Sequence, residues 1–118
     1  MGVQNLSSGA KMKAELKHIL EGHHGRRSAI TGRELARRFG QRDDRKIRLI
    51  IRELIAEGLP VASSTEPPAG YFLVETWQEV EEYAQSVRDR LINDALRRRD
   101  FRKAAAHYLL PAEQGRLI

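Results

Sequence analysis

Apolar residues in two stretches of the chain recur every three or four positions, the spacing of one buried face of an α-helix. The first stretch lies between residues 10 and 21, ends before Gly22, and carries Met12, Leu16, Ile19 and Leu20. The second lies between residues 44 and 57, ends before Gly58, and carries Ile47, Ile50, Ile51, Leu54 and Ile55. The pattern predicts two amphipathic helices that bury these faces in a common core.

A shorter helix is predicted between them, from residue 32 to residue 39. Thr31 and Glu34 have the spacing of a capping box, in which the two side chains satisfy free amides at a helix start. Gly40 follows the helix and can adopt the left-handed backbone that ends it. The residues of this helix expected to face the core are Leu35, Ala36 and Phe39.

Two β-strands are predicted at residues 59–64 and 71–75, which are rich in residues that favour strands. The segment between them contains Pro67, Pro68 and Gly70 and is not compatible with a helix, so the two strands should form a hairpin. A loop at residues 22–27 and a very short strand at 28–30 are expected earlier in the chain.

A long helix is predicted from residue 77 to about residue 108, with a candidate break at Asp100 and Phe101. Thr76 and Glu79 form a second capping box at its start. Its first half carries a heptad-like apolar seam that is expected to pack on the preceding domain: Trp77, Val80, Ala84, Val87 and Leu91. Its second half should extend beyond that domain, so its apolar residues need another partner. The sequence therefore predicts a homodimer through Leu96, Phe101, Ala105 and Tyr108.

The 118-residue chain is thus expected to be α+β and mostly helical, with a three-helix core, a two-stranded hairpin and a long C-terminal helix. A disordered N-terminus (1–9) precedes the compact domain (10–76). A helical extension (77–110) and a loose tail (111–118) follow it.

Positive charge is concentrated in one part of the chain. Residues 26–52 hold ten Lys and Arg, nine of them Arg, against three acidic residues. This stretch carries a formal charge of +7, and since the whole chain carries +5, the remainder totals −2. Such a basic segment indicates a polyanionic partner, and Arg suits bidentate contacts with phosphate and guanine. The alternative is an ordinary solvated helix surface.

The same segment resembles a known family. Residues 31–40 (TGRELARRFG) resemble the first helix and turn of a helix-turn-helix, and residues 45–58 (RKIRLIIRELIAEG) resemble its recognition helix. Residues 59–64 and 70–73 (LPVASS and GYFL) resemble the wing of the biotin-repressor-like branch of the winged helix-turn-helix family. The long last helix resembles, more weakly, those of small phage-type members. Ile47 lies twelve residues after Leu35, one more than usual in the family, so a longer turn is expected.

The resemblance implies that the third helix enters the DNA major groove while the wing contacts backbone or minor groove. Helix geometry selects the outward residues independently, once the apolar stripe is placed against the core. The residues predicted to contact bases are Arg42, Arg45, Arg48 and Leu49. The residues predicted to contact phosphates are Arg33, Arg37, Arg38, Arg52, Ser63 and Ser64.

Several of these residues have a structural interpretation as well. Leu49 can meet a thymine methyl or pack on a neighbouring element, and the sequence favours neither. Asp43 and Asp44 can accept from a cytosine amino group, but a helix cap is the favoured role. For Ser63 and Ser64, the ordinary polarity of a hairpin is slightly favoured over a contact with phosphate.

The remaining chemistry of the chain narrows the function classes. There is no Cys, and the His residues lack the spacing of metal ligands, so neither a metal site nor a cofactor is expected. No catalytic motif is present, which favours a non-enzyme. No membrane span, signal sequence or small-molecule ligand is predicted, and a cytoplasmic, nucleoid-associated location is expected.

The leading hypothesis is a double-stranded DNA-binding protein, either a transcription regulator or a phage- or plasmid-type accessory factor. The second is a protein-interaction module of a replication or chromosome-segregation complex, with Leu49 as its anchor. RNA binding is weaker, because Tyr71, Phe72 and Trp77 are expected to be buried and single-strand readers use exposed aromatic residues.

Overall fold

The computed structural model describes the backbone of residues 8–117 and the side chains of residues 9–110. Residues 1–7 of the segment expected to be disordered lie outside this range, whereas Ser8 and Gly9 are helical. The elements in order are helix α1 (Ser8–Leu20), a 3₁₀ turn (Arg26–Ser28), α2 (Gly32–Arg38), α3 (Arg45–Ala56), strands β1 (Val61–Ser64) and β2 (Gly70–Leu73), and α4 (Trp77–Leu117). The fold is α+β and mostly helical, with a long C-terminal helix, as the sequence predicts.

The chain forms two compact units, one ending at Tyr83 and the other beginning at Ala84. The boundary expected from the sequence is at residue 76, so the first unit includes the start of α4. The core of the first unit joins α1, α2, α3 and the hairpin, and its most deeply buried side chains are Leu16, Leu20, Leu35 and Ile47. Each such side chain contributes about 1.5–3 kcal/mol by leaving water.

The apolar stripe of α3 is narrower than the sequence pattern indicates. Ile47, Ile50, Ile51 and Leu54 are buried, but Ile55 is 42% exposed, so its predicted burial is wrong. Ile55 lies about 40° further around the helix than Ile51, which is already at the edge of the buried stripe.

The predicted hairpin is present, with β1 and β2 antiparallel and Ala62 opposite Phe72. The predicted strand at 28–30 is wrong, because the 3₁₀ turn uses residues 26–28. Of residues 28–30, Ile30 forms an isolated bridge to Tyr71 with N···O distances of 2.9 and 2.7 Å, and His24 forms a second isolated bridge, to Leu73.

The second capping box marks the start of α4, since Thr76 Oγ1 accepts a hydrogen bond from Glu79 N at 3.2 Å. The predicted break at Asp100 and Phe101 is absent, because no Gly or Pro interrupts the backbone hydrogen bonds there. The segment expected as a loose tail continues the helix as far as Leu117. Pro111 removes one amide donor, but the residues after it keep theirs.

Most of the apolar seam in the first half of α4 is exposed, contrary to its expected burial, and Val80 alone among its predicted members is half-buried. Trp77 is 80% exposed and Leu91 is 69% exposed. The reason is that the described core is already closed by residues between Met12 and Leu73. No helix in the described part of the chain is both long and apolar enough to cross a membrane.

Candidate nucleic-acid interface

The basic segment is built around the connection from α2 to α3. Thr31 Oγ1 accepts from Glu34 N at 3.0 Å and so caps α2, as predicted. The helix ends at Arg38 with Phe39 as its C-cap, and Gly40 follows with a φ of +66°, the left-handed conformation expected for it. The connection spans residues 39–44, longer than the roughly three or four residues of most helix-turn-helix turns.

Two aspartates hold the start of α3, and each has a role within the fold. Asp44 occupies the N-cap position, but the side-chain hydrogen bond to the helix start comes from its neighbour: Asp43 Oδ1 accepts from Arg45 N, the first amide of α3, at 3.0 Å. Asp44 makes no capping hydrogen bond; its Oδ1 lies 3.3 Å from Arg48 Nε. Its carboxylate also lies beside Gly32, where a Cβ atom would come within 2.7 Å of it.

One face of α3 presents a row of arginines to solvent. Arg45, Arg48 and Arg52 are exposed on the side opposite the buried isoleucines, and Arg42 is exposed just before the helix. Arg33, Arg42, Arg45 and Arg52 have no carboxylate within 4.0 Å among residues 9–110. The arginines predicted to contact bases are therefore all accessible to solvent.

Two of the three arginines of α2 are paired with one carboxylate. Arg37 donates two hydrogen bonds to Glu34, at 3.0 and 2.7 Å, and Arg38 donates a third at 3.1 Å. The hydrogen bonds from Arg37 and then Arg38 lower the pKa of the Glu34 carboxyl, and the bond to Glu34 raises the pKa of Arg37. Glu34 therefore pairs with two of the predicted phosphate contacts, whereas Arg33 has no carboxylate within 4.0 Å among residues 9–110.

Leu49 lies at the border between the arginine row and an apolar groove. It is 53% exposed, and it lines a groove of about 630 Å³ between α1 and α3 together with Ala10, Ala14 and Ile50. Lys13 bridges to Glu53 and Glu57 at this groove, and the hydrogen bond to Glu57 is the main cause of its raised pKa. The exposure of Leu49 is compatible with a contact to a thymine methyl, and its position in the groove is compatible with packing on a neighbouring element.

The hydroxyl of Ser64 is engaged in the loop between the strands. It donates to Glu66 O and accepts from Glu66 N, both at 3.2 Å. Glu66 also pairs with Arg26, at 2.9 Å, and so ties the loop to the 3₁₀ turn. Ser64 therefore has a structural role in the hairpin, while Ser63 lies half-buried opposite Tyr71.

The sequence analysis missed one exposed aromatic residue. Trp77 is exposed rather than buried, and only its position directly after the capping Thr76 could have indicated this. His23 Nδ1 lies 2.6 Å from Ser28 O, a loop contact. Over the described residues, no three His, Asp or Glu side chains are grouped so as to hold a metal ion.

Comparison with protein-family models, with curated proteins and with solved structures finds no match for this chain.

Proposed function

We propose that this chain is a double-stranded DNA-binding protein of the winged-helix type. In this proposal α3 enters the major groove and the β1–β2 loop contacts the backbone or the minor groove. The protein would act as a transcription regulator or as a phage- or plasmid-type accessory factor. The observation that carries the proposal is the exposed row of Arg45, Arg48 and Arg52, backed by buried isoleucines on a helix that follows a short helix and a turn.

The chemistry of this row suits a duplex. Arginine forms bidentate hydrogen bonds with guanine in the major groove, and each good contact discriminates by about 1–3 kcal/mol. Arg45 lies in the first turn of α3 and Arg48 in the next, which suits them to base edges. In this proposal Arg33 and Arg52 contact phosphates, whose counterions are released on binding, so affinity should fall steeply with salt.

The test is a fluorescence titration of a mixed-sequence duplex at low salt. Reversing two charges of the row, Arg45→Glu with Arg48→Glu, is expected to weaken binding by at least about 100-fold. The control, Lys11→Glu with Lys103→Glu, changes the net charge equally at exposed positions outside the basic segment and outside α3. This control should weaken binding to the duplex only a few-fold. Absence of binding by the unaltered chain, or an equal loss in both variants, would refute the proposal.

The second candidate, a protein-interaction module, is favoured by the groove that Leu49 lines between α1 and α3. Helix-in-groove recognition uses apolar grooves of this kind. Leu49→Ser separates the two functions. A DNA-binding protein should keep most of its affinity for a duplex in this variant, whereas a module that docks a partner through the groove should lose that partner.

A further inference from the structure

The later part of α4 carries large apolar side chains in contact with solvent. Leu91, Phe101 and Tyr108 are 69%, 70% and 84% exposed, and of residues 84–110 only Ala105 is partly buried. Helices gain most of their stability from packing an apolar face. This segment therefore needs a partner that covers these side chains.

One stripe of the helix, whose positions alternate in three- and four-residue steps as in a coiled-coil seam, carries six apolar residues and two charged ones. Ile92, Leu109 and Leu110 are also exposed but lie outside this stripe. We call the stripe the α4 seam; its members are Ala84, Val87, Leu91, Asp94, Arg98, Phe101, Ala105 and Tyr108. Leu96, which the sequence groups with the last three, lies five residues before Phe101 and so about 140° around an uninterrupted helix. Leu96 is therefore not part of the α4 seam.

Two charged residues in the middle of the α4 seam determine how a second copy can pair with it. In a parallel pair each seam residue faces itself, so Asp94 would meet Asp94 and Arg98 would meet Arg98. In an antiparallel pair, Asp94 of each copy can face Arg98 of the other. Like charges are unfavourable inside a seam, while an opposite pair satisfies both groups, so the central charges favour the antiparallel arrangement.

The register that pairs Asp94 with Arg98 also matches the apolar residues by size. Moving outward from the centre, Leu91 meets Phe101 of the second copy, Val87 meets Ala105, and Ala84 meets Tyr108. In the two outer layers a smaller residue lies opposite a larger one, which is how packed layers fill space without voids. Because the pairing is symmetric, each layer occurs twice in the dimer.

We propose that two copies of this chain associate through an antiparallel coiled coil of their α4 seams, in the register that places Asp94 of each copy against Arg98 of the other. The pairing is independent of DNA binding, since it uses none of the residues of the arginine row on α3. It gives the second copy a defined orientation along α4.

Charged residues beside the α4 seam make the affinity of the dimer depend on the salt concentration. The same register brings Arg97 near Arg97 of the second copy and Arg88 near Arg102, all of them exposed. Salt screens exposed charges more strongly than buried ones. The dimer should therefore strengthen with salt, the opposite of the dependence expected for DNA binding, and about 0.5 M salt without nucleic acid is the condition for its assay.

Sedimentation equilibrium of a charge-swap series tests the register. Asp94→Arg and Arg98→Asp each place like charges in the two central layers, and each is expected to weaken the dimer at least about 10-fold. The double variant D94R/R98D restores opposite charges and should return to near the original affinity. A monomeric unaltered chain, or a double variant no tighter than the single ones, would overturn the proposal.

Cysteine cross-linking tests the orientation, since the chain has no Cys of its own. A mixture of Val87→Cys and Ala105→Cys chains should form a mixed disulfide-linked dimer, while Ala105→Cys alone should not cross-link. Lys103→Cys, on the side of α4 away from the seam, is the matched control and should remain unlinked. Cross-linking of Ala105→Cys with itself would indicate a parallel pair and refute the proposal. R45E/R48E should stay dimeric, which separates this test from that of DNA binding.

Discussion

At Gly70 the backbone of β2 passes so close to residue 30 that there is no room for a side chain. Gly70 has a φ of +130°, and a Cβ atom there would lie 2.3 Å from Ile30 O and 2.7 Å from Thr31 N. Those backbone atoms have little freedom to move, because Ile30 is hydrogen-bonded to Tyr71 in both directions. Glycine is therefore required at the position where the hairpin meets the segment that leads into α2.

Gly70→Ala is expected to lower the free energy of unfolding by about 2–4 kcal/mol, since it combines an unfavourable φ with a backbone overlap. Gly40→Ala is the control, because Gly40 also has a positive φ, +66°, but has nothing within 4 Å of its Cβ position. The control should cost only about 1–2 kcal/mol. Urea denaturation followed by circular dichroism measures both, and equal losses would contradict this account.

The periodicity of apolar residues predicted Ile47, Ile50, Ile51 and Leu54 as buried, and all four are. It failed at Ile55 and at Trp77. Periodicity states which residues share a face of a helix, but the width of the buried stripe depends on how much the neighbouring elements cover. That is a tertiary property, and a single sequence does not display it.

At the scale of elements, the start of α3 depends on one aspartate rather than on both. Asp43 accepts a hydrogen bond from the amide of Arg45, whereas Asp44 pairs with the exposed side chain of Arg48. The capping bond satisfies a donor that would otherwise lack a partner within the helix. The arginine row therefore owes the position of its first residue to Asp43.

Asp43→Ala should destabilise the fold by about 1 kcal/mol, the usual cost of removing a cap. Asp44→Ala, the neighbouring control, should cost about 0.5 kcal/mol or less, because an exposed ion pair contributes little. Thermal unfolding of the two variants against the unaltered chain measures the difference. A larger loss for Asp44→Ala would show that its contact at Gly32 outweighs the cap.

The start of α4 is held by Glu79, whose carboxylate accepts from Arg26 N at 2.9 Å and from Glu75 N at 2.7 Å. Partial burial raises the pKa of this carboxyl, but the hydrogen bonds from the amides of Arg26, Glu75 and Thr76 outweigh burial and leave the pKa lowered. The ionised carboxylate thus stabilises the folded state above its ordinary pKa of about 4.3. That contribution is lost as the pH falls through the lowered value.

Glu79→Gln should therefore reduce stability near neutral pH by about 1 kcal/mol and reduce the further loss of stability towards about pH 3. Glu34, whose pKa is also lowered, leaves some acid sensitivity in the variant. Denaturant unfolding at several pH values provides the measurement, with Glu82→Gln, an exposed carboxylate of the same helix, as the control. An unchanged pH profile in Glu79→Gln would contradict the role assigned to this contact.

Local chemistry made the elements predictable, since both capping boxes, the helix-ending Gly40 and the hairpin follow from neighbouring residues. The 3₁₀ turn at 26–28 was not predictable in this way, because its conformation is held by groups that are distant in the sequence. Glu79 accepts a hydrogen bond from the amide of Arg26, and Glu66 pairs with the side chain of Arg26. Contacts between residues 40 or more positions apart produce no periodic pattern in the sequence from which they could be predicted.

At the scale of the whole molecule, the arginines of the candidate interface were predictable from helix geometry alone, whereas the groove beside Leu49 was not. The groove exists because α1 lies against α3, and the pairing of two helices separated in the chain is decided by the complete core. The division into two units at Tyr83 likewise follows from which residues the core includes. The described core contains only residues between Met12 and Leu73.

A chain ending after Tyr83 should therefore retain the fold of the first unit. It keeps every described core residue and the contacts of Glu79, so its free energy of unfolding should stay within about 0.5 kcal/mol of the full chain measured as a monomer. It should also remain monomeric at about 0.5 M salt, because the α4 seam has been removed. Urea denaturation and sedimentation of the shortened chain measure the two outcomes. Loss of the fold would show that residues beyond Tyr83 stabilise the first unit, and a persistent dimer would place the association elsewhere than on α4.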